Sequence, residues 1–119
     1  MVGIVRTESE LLRALEEIER LTEQSGRVRV TGSLEYNPGW HTALDLASLL
    51  AVAEAITRSA LERKESRGAH FRDDHPGKDE GLAKVNVVVR KGPDGTMRIA
   101  REPIPPMRPD LKQVVLEMG

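Results

Sequence analysis

Residues 38–67 constrain this chain more than any other stretch. Nothing between Trp40 and Arg67 breaks a helix, and Asn37 and Pro38 supply a cap and a first helical position. At 100° per residue the apolar side chains between Ala43 and Ile56 go almost all the way round. A helix that is apolar on most sides is buried on most sides. The remaining sequence offers only one other long helix to cover it, so the missing cover must be a short third element, another copy or another domain.

That second helix spans about 7–24. Thr7 and Glu10 have capping-box spacing, and Leu11, Ala14, Leu15, Ile18 and Leu21 recur at helical spacing. Glu16, Glu17 and Arg20 fall on the wet side, and Ser25-Gly26 closes the helix. Residues 27–36 alternate only briefly, and Gly32 weakens them as a strand. Gly68 is a natural residue for leaving the long helix, and 68–82 is loop by composition. Residues 84–102 read as a β-hairpin around Pro93-Asp94-Gly95. The tail, 103–119, is Pro-rich and extended, with a short helix at 110–118 capped by Asp110. The expected fold is mainly α: a small helical bundle with a C-terminal β-hairpin and a Pro-rich tail.

The chain has 119 residues, the size of a single domain or less. Its three aromatics leave the core to Leu, Val, Ile and Ala. A net charge of −1 gives no basic excess for nucleic acid. The absence of Cys removes disulfides and thiolate metal sites and suits a cytoplasmic protein. No stretch has the length and apolarity of a membrane span, and no segment reads as a signal peptide.

Few residues suggest chemistry. His70, Asp73, Asp74 and His75 are metal-ligand types, but their spacing matches no metal loop, and a solvated, hydrogen-bonded loop is the better reading. Ser66 and His70 would straddle a helix end with no orienting carboxylate, so no nucleophile is expected. Residues 77–81, Gly-Lys-Asp-Glu-Gly, lack phosphate-cradling glycine spacing. Asp45 and Glu54 fall on apolar faces of the long helix. Each is either partnered under cover or, as Glu54 with Arg58 at i,i+4, part of a plain surface pair.

The run Glu65-Ser66-Arg67-Gly68-Ala69-His70, then Arg72, Asp73, Asp74 and Pro76, follows a helix introduced by Tyr36-Asn37-Pro38-Gly39-Trp40. This constellation resembles the C-terminal helical domain of succinate dehydrogenase and fumarate reductase flavoprotein subunits. Residues 2–21 resemble that domain's first helix, and residues 102–111 its Pro-rich tail. Versions of the Glu65–His70 run occur in L-aspartate oxidase and adenylylsulfate reductase as well.

The resemblance implies a spectrin-repeat-like bundle, 1–119, belonging to a larger FAD-dependent flavoprotein. It implies a parent that interconverts succinate and fumarate and passes electrons to an iron–sulfur subunit, at the cytoplasmic face of a membrane. The family's dinucleotide fingerprint and substrate-gripping residues match nothing in this chain, which has no G-x-G-x-x-G. No catalytic, cofactor or metal residue is therefore expected here, and the piece is either an excised domain or a separately encoded one.

What the resemblance assigns to the chain is docking against the flavin domain. The candidates are Glu65, Ser66, Arg67, Gly68, His70 and Arg72, with Arg67 and Arg72 suited to holding carbonyls or a carboxylate. The plainer reading of both arginines is a solvated helix end that favours the dipole. Isolated, the chain is expected to hide its surplus apolar face by self-association, with Ala43, Leu46, Leu50 and Ala53 as the covered stripe. The alternatives are a stand-alone protein-interaction module and the same domain from an L-aspartate oxidase.

Overall fold

The computed structural model describes residues 2–28, 30–32 and 35–119. Its elements are β1 (Val5–Arg6), α1 (Glu8–Ser25), α2 (Pro38–Glu62), β2 (Phe71–Arg72), a 3-10 turn (Leu82–Lys84), β3 (Val85–Lys91), β4 (Met97–Pro103) and α3 (Pro109–Met118). α1 and α2 pack along one another, and the β3–β4 hairpin lies against α2. The architecture is the expected one: mainly helical, with an antiparallel strand pair near the C-terminus.

α1 begins where its chemistry directs. The Thr7 hydroxyl accepts from the Glu10 amide at 3.4 Å and lies 3.2 Å from the Glu10 carboxylate, to which it donates. Leu11, Ala14 and Ile18 form the buried stripe, whereas Leu21 stays 38% exposed. The helix ends at Ser25, and Gly26 remains right-handed at φ −64°. The Ser25 hydroxyl donates to the Thr22 carbonyl at 2.8 Å, so that end does not call on glycine's freedom.

α2 starts on its Asn37 cap, whose side-chain oxygen accepts from the Gly39 amide at 3.0 Å. Tyr36, just before, takes φ +54°. The helix stops at Glu62, five residues short of the expected Arg67. The reason is tertiary: the guanidinium of Arg72 takes the carbonyls of Ala60 and Leu61, and the chain leaves the helical path at Arg63. Of the extended reading over 27–36, Arg29, Ser33 and Leu34 lie outside the described residues, and the others of that stretch form no strand.

Burial on α2 runs along Leu50, Thr57 and Ala60, with Ala43, Leu46 and Ala53 half-buried on the same side. This is the stripe expected to be in surplus; it is the one under cover. The surplus lies elsewhere, at Leu44, Leu49, Val52 and Ile56, which are 47–66% exposed. Glu54 is half-buried and pairs with Arg58 at 2.7 Å, while Asp45 is exposed.

β3 and β4 pair in antiparallel register from Val85 opposite Pro103 to Lys91 opposite Met97. Gly95 turns the chain at φ +81°, and Asp94 accepts from both the amide and the hydroxyl of Thr96. An Arg101–Glu62 ion pair of 2.6 Å ties β4 to the end of α2. Every residue from Pro103 to Gly119 is exposed, including Leu111, Val114, Val115 and Met118 on α3. The molecule measures 63 × 35 × 29 Å, with a radius of gyration of 19.3 Å. A compact chain of this length would have about 13–14 Å. The excess reflects thin, elongated packing with a small core.

A candidate docking site after α2

The segment from Arg63 to Asp79 carries the densest polar network in the chain. Its first half is built on Glu65, which is fully buried. Arg63 donates to one carboxylate oxygen at 2.5 Å, Arg67 donates to both at 3.1 Å, and the Asp79 amide donates at 2.7 Å. These donors, the Arg67 guanidinium foremost, hold the Glu65 carboxyl down at about 2 against the opposing push of burial. Arg63 uses its remaining donors on the carbonyls of Leu82 and Val85, which fixes the start of β3.

The second half is built on Arg72, also fully buried. It pairs bidentately with Asp74, at 2.8 and 2.7 Å. Its third arm reaches the carbonyls of Ala60 and Leu61, at 2.9 and 3.3 Å. Those are orphan acceptors of the last turn of α2. Asp74 in turn accepts from the Glu8 amide, at 3.1 Å, in the first turn of α1. One buried ion pair therefore ties the start of α1 to the end of α2. The Arg72 guanidinium holds the Asp74 carboxyl well below the usual carboxylate range.

Between the two halves, Ser66 accepts from the Arg72 amide and donates to the His75 carbonyl, both at 2.8 Å. Arg67 and His70 exchange backbone hydrogen bonds across Gly68-Ala69. Gly68 sits at φ +59°, which makes this turn available at little strain. The tip is exposed. His70 lies 2.9 Å from Arg6 on one ring nitrogen and 2.9 Å from the Arg63 carbonyl on the other. Arginine can only donate, so Nδ1 accepts and Nε2–H donates.

The six docking candidates therefore divide. Glu65, Ser66 and Arg72 face inward and have partners within this chain; Arg67, Gly68 and His70 reach the rim. Sequence reasoning missed Arg6 and Arg63. A signal for Arg63 was present: positions 63, 65 and 67 alternate basic, acidic, basic, which puts the three side chains on one side of an extended backbone. Nothing local pointed to Arg6, 64 residues from His70 in sequence.

His70, Asp73, Asp74 and His75 do not converge. Among the described residues no three His, Asp or Glu side chains gather as a metal site. The helix starts also fit a dinucleotide poorly. α1 opens with Glu8 and Glu10, which repel phosphate, and at α2 Asn37 already occupies the Gly39 amide.

A family model described as fumarate reductase flavoprotein C-term matches residues 1–114. The chain belongs to this family. A fumarate reductase flavoprotein subunit of Mycobacterium tuberculosis is 37% identical over 103 residues, covering 86% of this chain and 18% of that protein. An L-aspartate oxidase of Streptomyces coelicolor is 30% identical over 107 residues, covering 90% of this chain and 18% of its own length. A solved structure of Mycobacterium smegmatis Sdh1 in complex with UQ1 superposes with a TM-score of 0.86 at 38% identity, covering 97% of this chain and 20% of that one. The chain thus spans about a fifth of the length of the relatives it matches. Among the described residues no helix is long and apolar enough to cross a membrane.

Proposed function

We propose that this chain is the C-terminal docking domain of an FAD-dependent succinate dehydrogenase or fumarate reductase flavoprotein subunit. The parent interconverts succinate and fumarate at the flavin, and the chain alone is catalytically silent. One observation carries this reading: a chain matching a fifth of such subunits leaves Leu49, Val52 and Ile56 exposed on its longest helix. Surfaces of that kind mark an interaction site. The occupant is the flavin domain of the same subunit, with the iron–sulfur subunit as the further partner of the parent complex at the cytoplasmic face of the membrane.

Glu65, Ser66 and Arg72 serve this role as the internal frame of the loop. Arg67, Gly68 and His70 present its rim to the neighbouring domain. Arg67 spends Nε and Nη2 on Glu65 and Asp79, and its other terminal nitrogen makes no hydrogen bond among the described residues. A planar guanidinium anchored on one side can hold a carbonyl or carboxylate on the other.

The test uses the intact flavoprotein subunit carrying Arg67→Ala. Flavin retention or melting temperature should fall while turnover per bound flavin stays near the parent value. A thousandfold loss of turnover per flavin with stability intact would assign Arg67 transition-state work and overturn the docking role. The match to an L-aspartate oxidase over 90% of this chain favours that parent as the second reading. Assaying the intact subunit with L-aspartate and with succinate decides between them.

A further inference from the structure

The residues ahead of α1 are fastened to the docking loop by hydrogen bonds and by little else. Val5 pairs with Phe71 and Arg6 with Arg72 in a two-residue parallel ladder. The Asp73 amide donates to the Arg6 carbonyl at 2.8 Å, and the Glu8 amide donates to Asp74 at 3.1 Å. The Arg6 guanidinium reaches His70 at 2.9 Å and the Gly3 carbonyl at 2.6 Å. Ile4 and Val5 remain 74% and 57% exposed, so apolar burial contributes little to this attachment.

The surface they are fastened to is of a different kind. Arg72 and Glu65 are fully buried, Ser66 nearly so, and each is held by several partners that do not involve residues 3–7. Local opening free energy follows buried contacts and protected hydrogen bonds. A weakly buried segment on a strongly buried anchor opens first.

We propose that residues 3–7 are a releasable strap: engaged on the Arg72–Asp74 loop they fix the direction in which upstream polypeptide enters the domain, and released they free it while the loop and the helix pair stay folded. Release also takes the Asp74 carboxylate away from the start of α1, where it favours the helix dipole. The direction-setting part rests on the docking-domain reading, because it requires a domain upstream. The release itself is a property of this chain.

Amide hydrogen exchange on the full 119-residue chain tests the strap. The Asp73 and Glu8 amides should exchange faster than those of Ser66 and Arg72. Arg6→Ala, which removes the side-chain fastening, should speed Asp73 and Glu8 by about tenfold, the size expected for one lost hydrogen bond to a charged group. Ser66, Arg72 and mid-helix amides such as Ile18 and Leu50 should change less than about twofold, which also reports that the variant is folded. His70→Ala should match Arg6→Ala, and the double variant should add little more. Equal acceleration at all these sites, or none at any, overturns the strap. In the intact subunit, Arg6→Ala should broaden the small-angle scattering envelope. An unchanged envelope with a released strap defeats direction-setting, and neither result bears on the flavin retention that tests docking through Arg67.

Discussion

Arg72 grips Asp74 with two arms of its guanidinium and spends the third on the last carbonyls of α2. Arg72 is buried completely, while Asp74 keeps 28% of its side chain in contact with solvent. The asymmetry decides which partner is harder to lose. Removing the acid strands a charge in a dry site; removing the base leaves a carboxylate that water can still reach.

Asp74→Ala should therefore cost about 3–5 kcal/mol, the range for breaking a buried pair by deleting one partner. Glu102→Ala breaks the exposed Arg90–Glu102 pair on the hairpin and should cost no more than about 1 kcal/mol. Urea denaturation of both variants beside the parent chain gives the comparison. Equal losses would show that the Arg72–Asp74 pair is no more than a surface contact.

Acid should act through the same network. Glu65 titrates at about 2 in the folded chain, against an ordinary carboxylate value near 4.5, and Asp74 is also depressed. A depressed carboxylate gives stability that is present in full above its unfolded value and is lost as pH falls through its folded one. Melting temperature should hold down to about pH 5 on account of these two groups and then drop steadily toward pH 2. Glu65→Gln should start lower and show a shallower drop. A parent profile flat from pH 5 to pH 2 contradicts the assignment.

Glycine 68 isolates a backbone effect. Its φ is +59°, and a Cβ built there would meet nothing within 4 Å. Gly68→Ala should cost roughly 1–2 kcal/mol, the left-handed penalty alone. Gly77 has equally open surroundings without a positive φ. Gly77→Ala should be neutral or slightly stabilising, because it narrows the unfolded ensemble. Thermal melts of the two variants should therefore differ in sign or nearly so.

The elements were largely legible because their signals are local. Thr7, Asn37 with Pro38, and Pro93-Asp94-Gly95 each fix a start or a turn within a few residues. The end of α2 was not legible, because no residue between Glu62 and Arg67 refuses helix; Arg72, ten residues past Glu62, takes its carbonyls. The surplus apolar face was misplaced for a related reason. A wheel that is apolar nearly all round does not say which side its partners take, and the side they cover is that of Leu50, Thr57 and Ala60. The inward turn of Glu65 and Arg72 was equally hidden, since a run of charges looks the same in sequence whether solvated or internally paired.

The uncovered side of α2 gives the last prediction. Leu49, Val52 and Ile56 recur at helical spacing and are 66, 57 and 47% exposed. Leu111, Val114, Val115 and Met118 add a second exposed apolar face on α3. Taken out of any parent, the chain should bury such faces against another copy of itself, because soluble monomers seldom leave large contiguous apolar patches in water. Sedimentation at rising concentration should show a shift toward dimer or larger species. Ile56→Glu should reverse that shift with little change in melting temperature, since the side chain stands outside the core. Leu50→Glu, on the covered side, should instead destabilise the fold, because it puts an unpaired carboxylate in a buried position. A parent chain that stays monomeric at high concentration, without binding an apolar dye, would mean that these faces are too small or too broken to drive association, and the case for a missing partner over α2 would weaken with it.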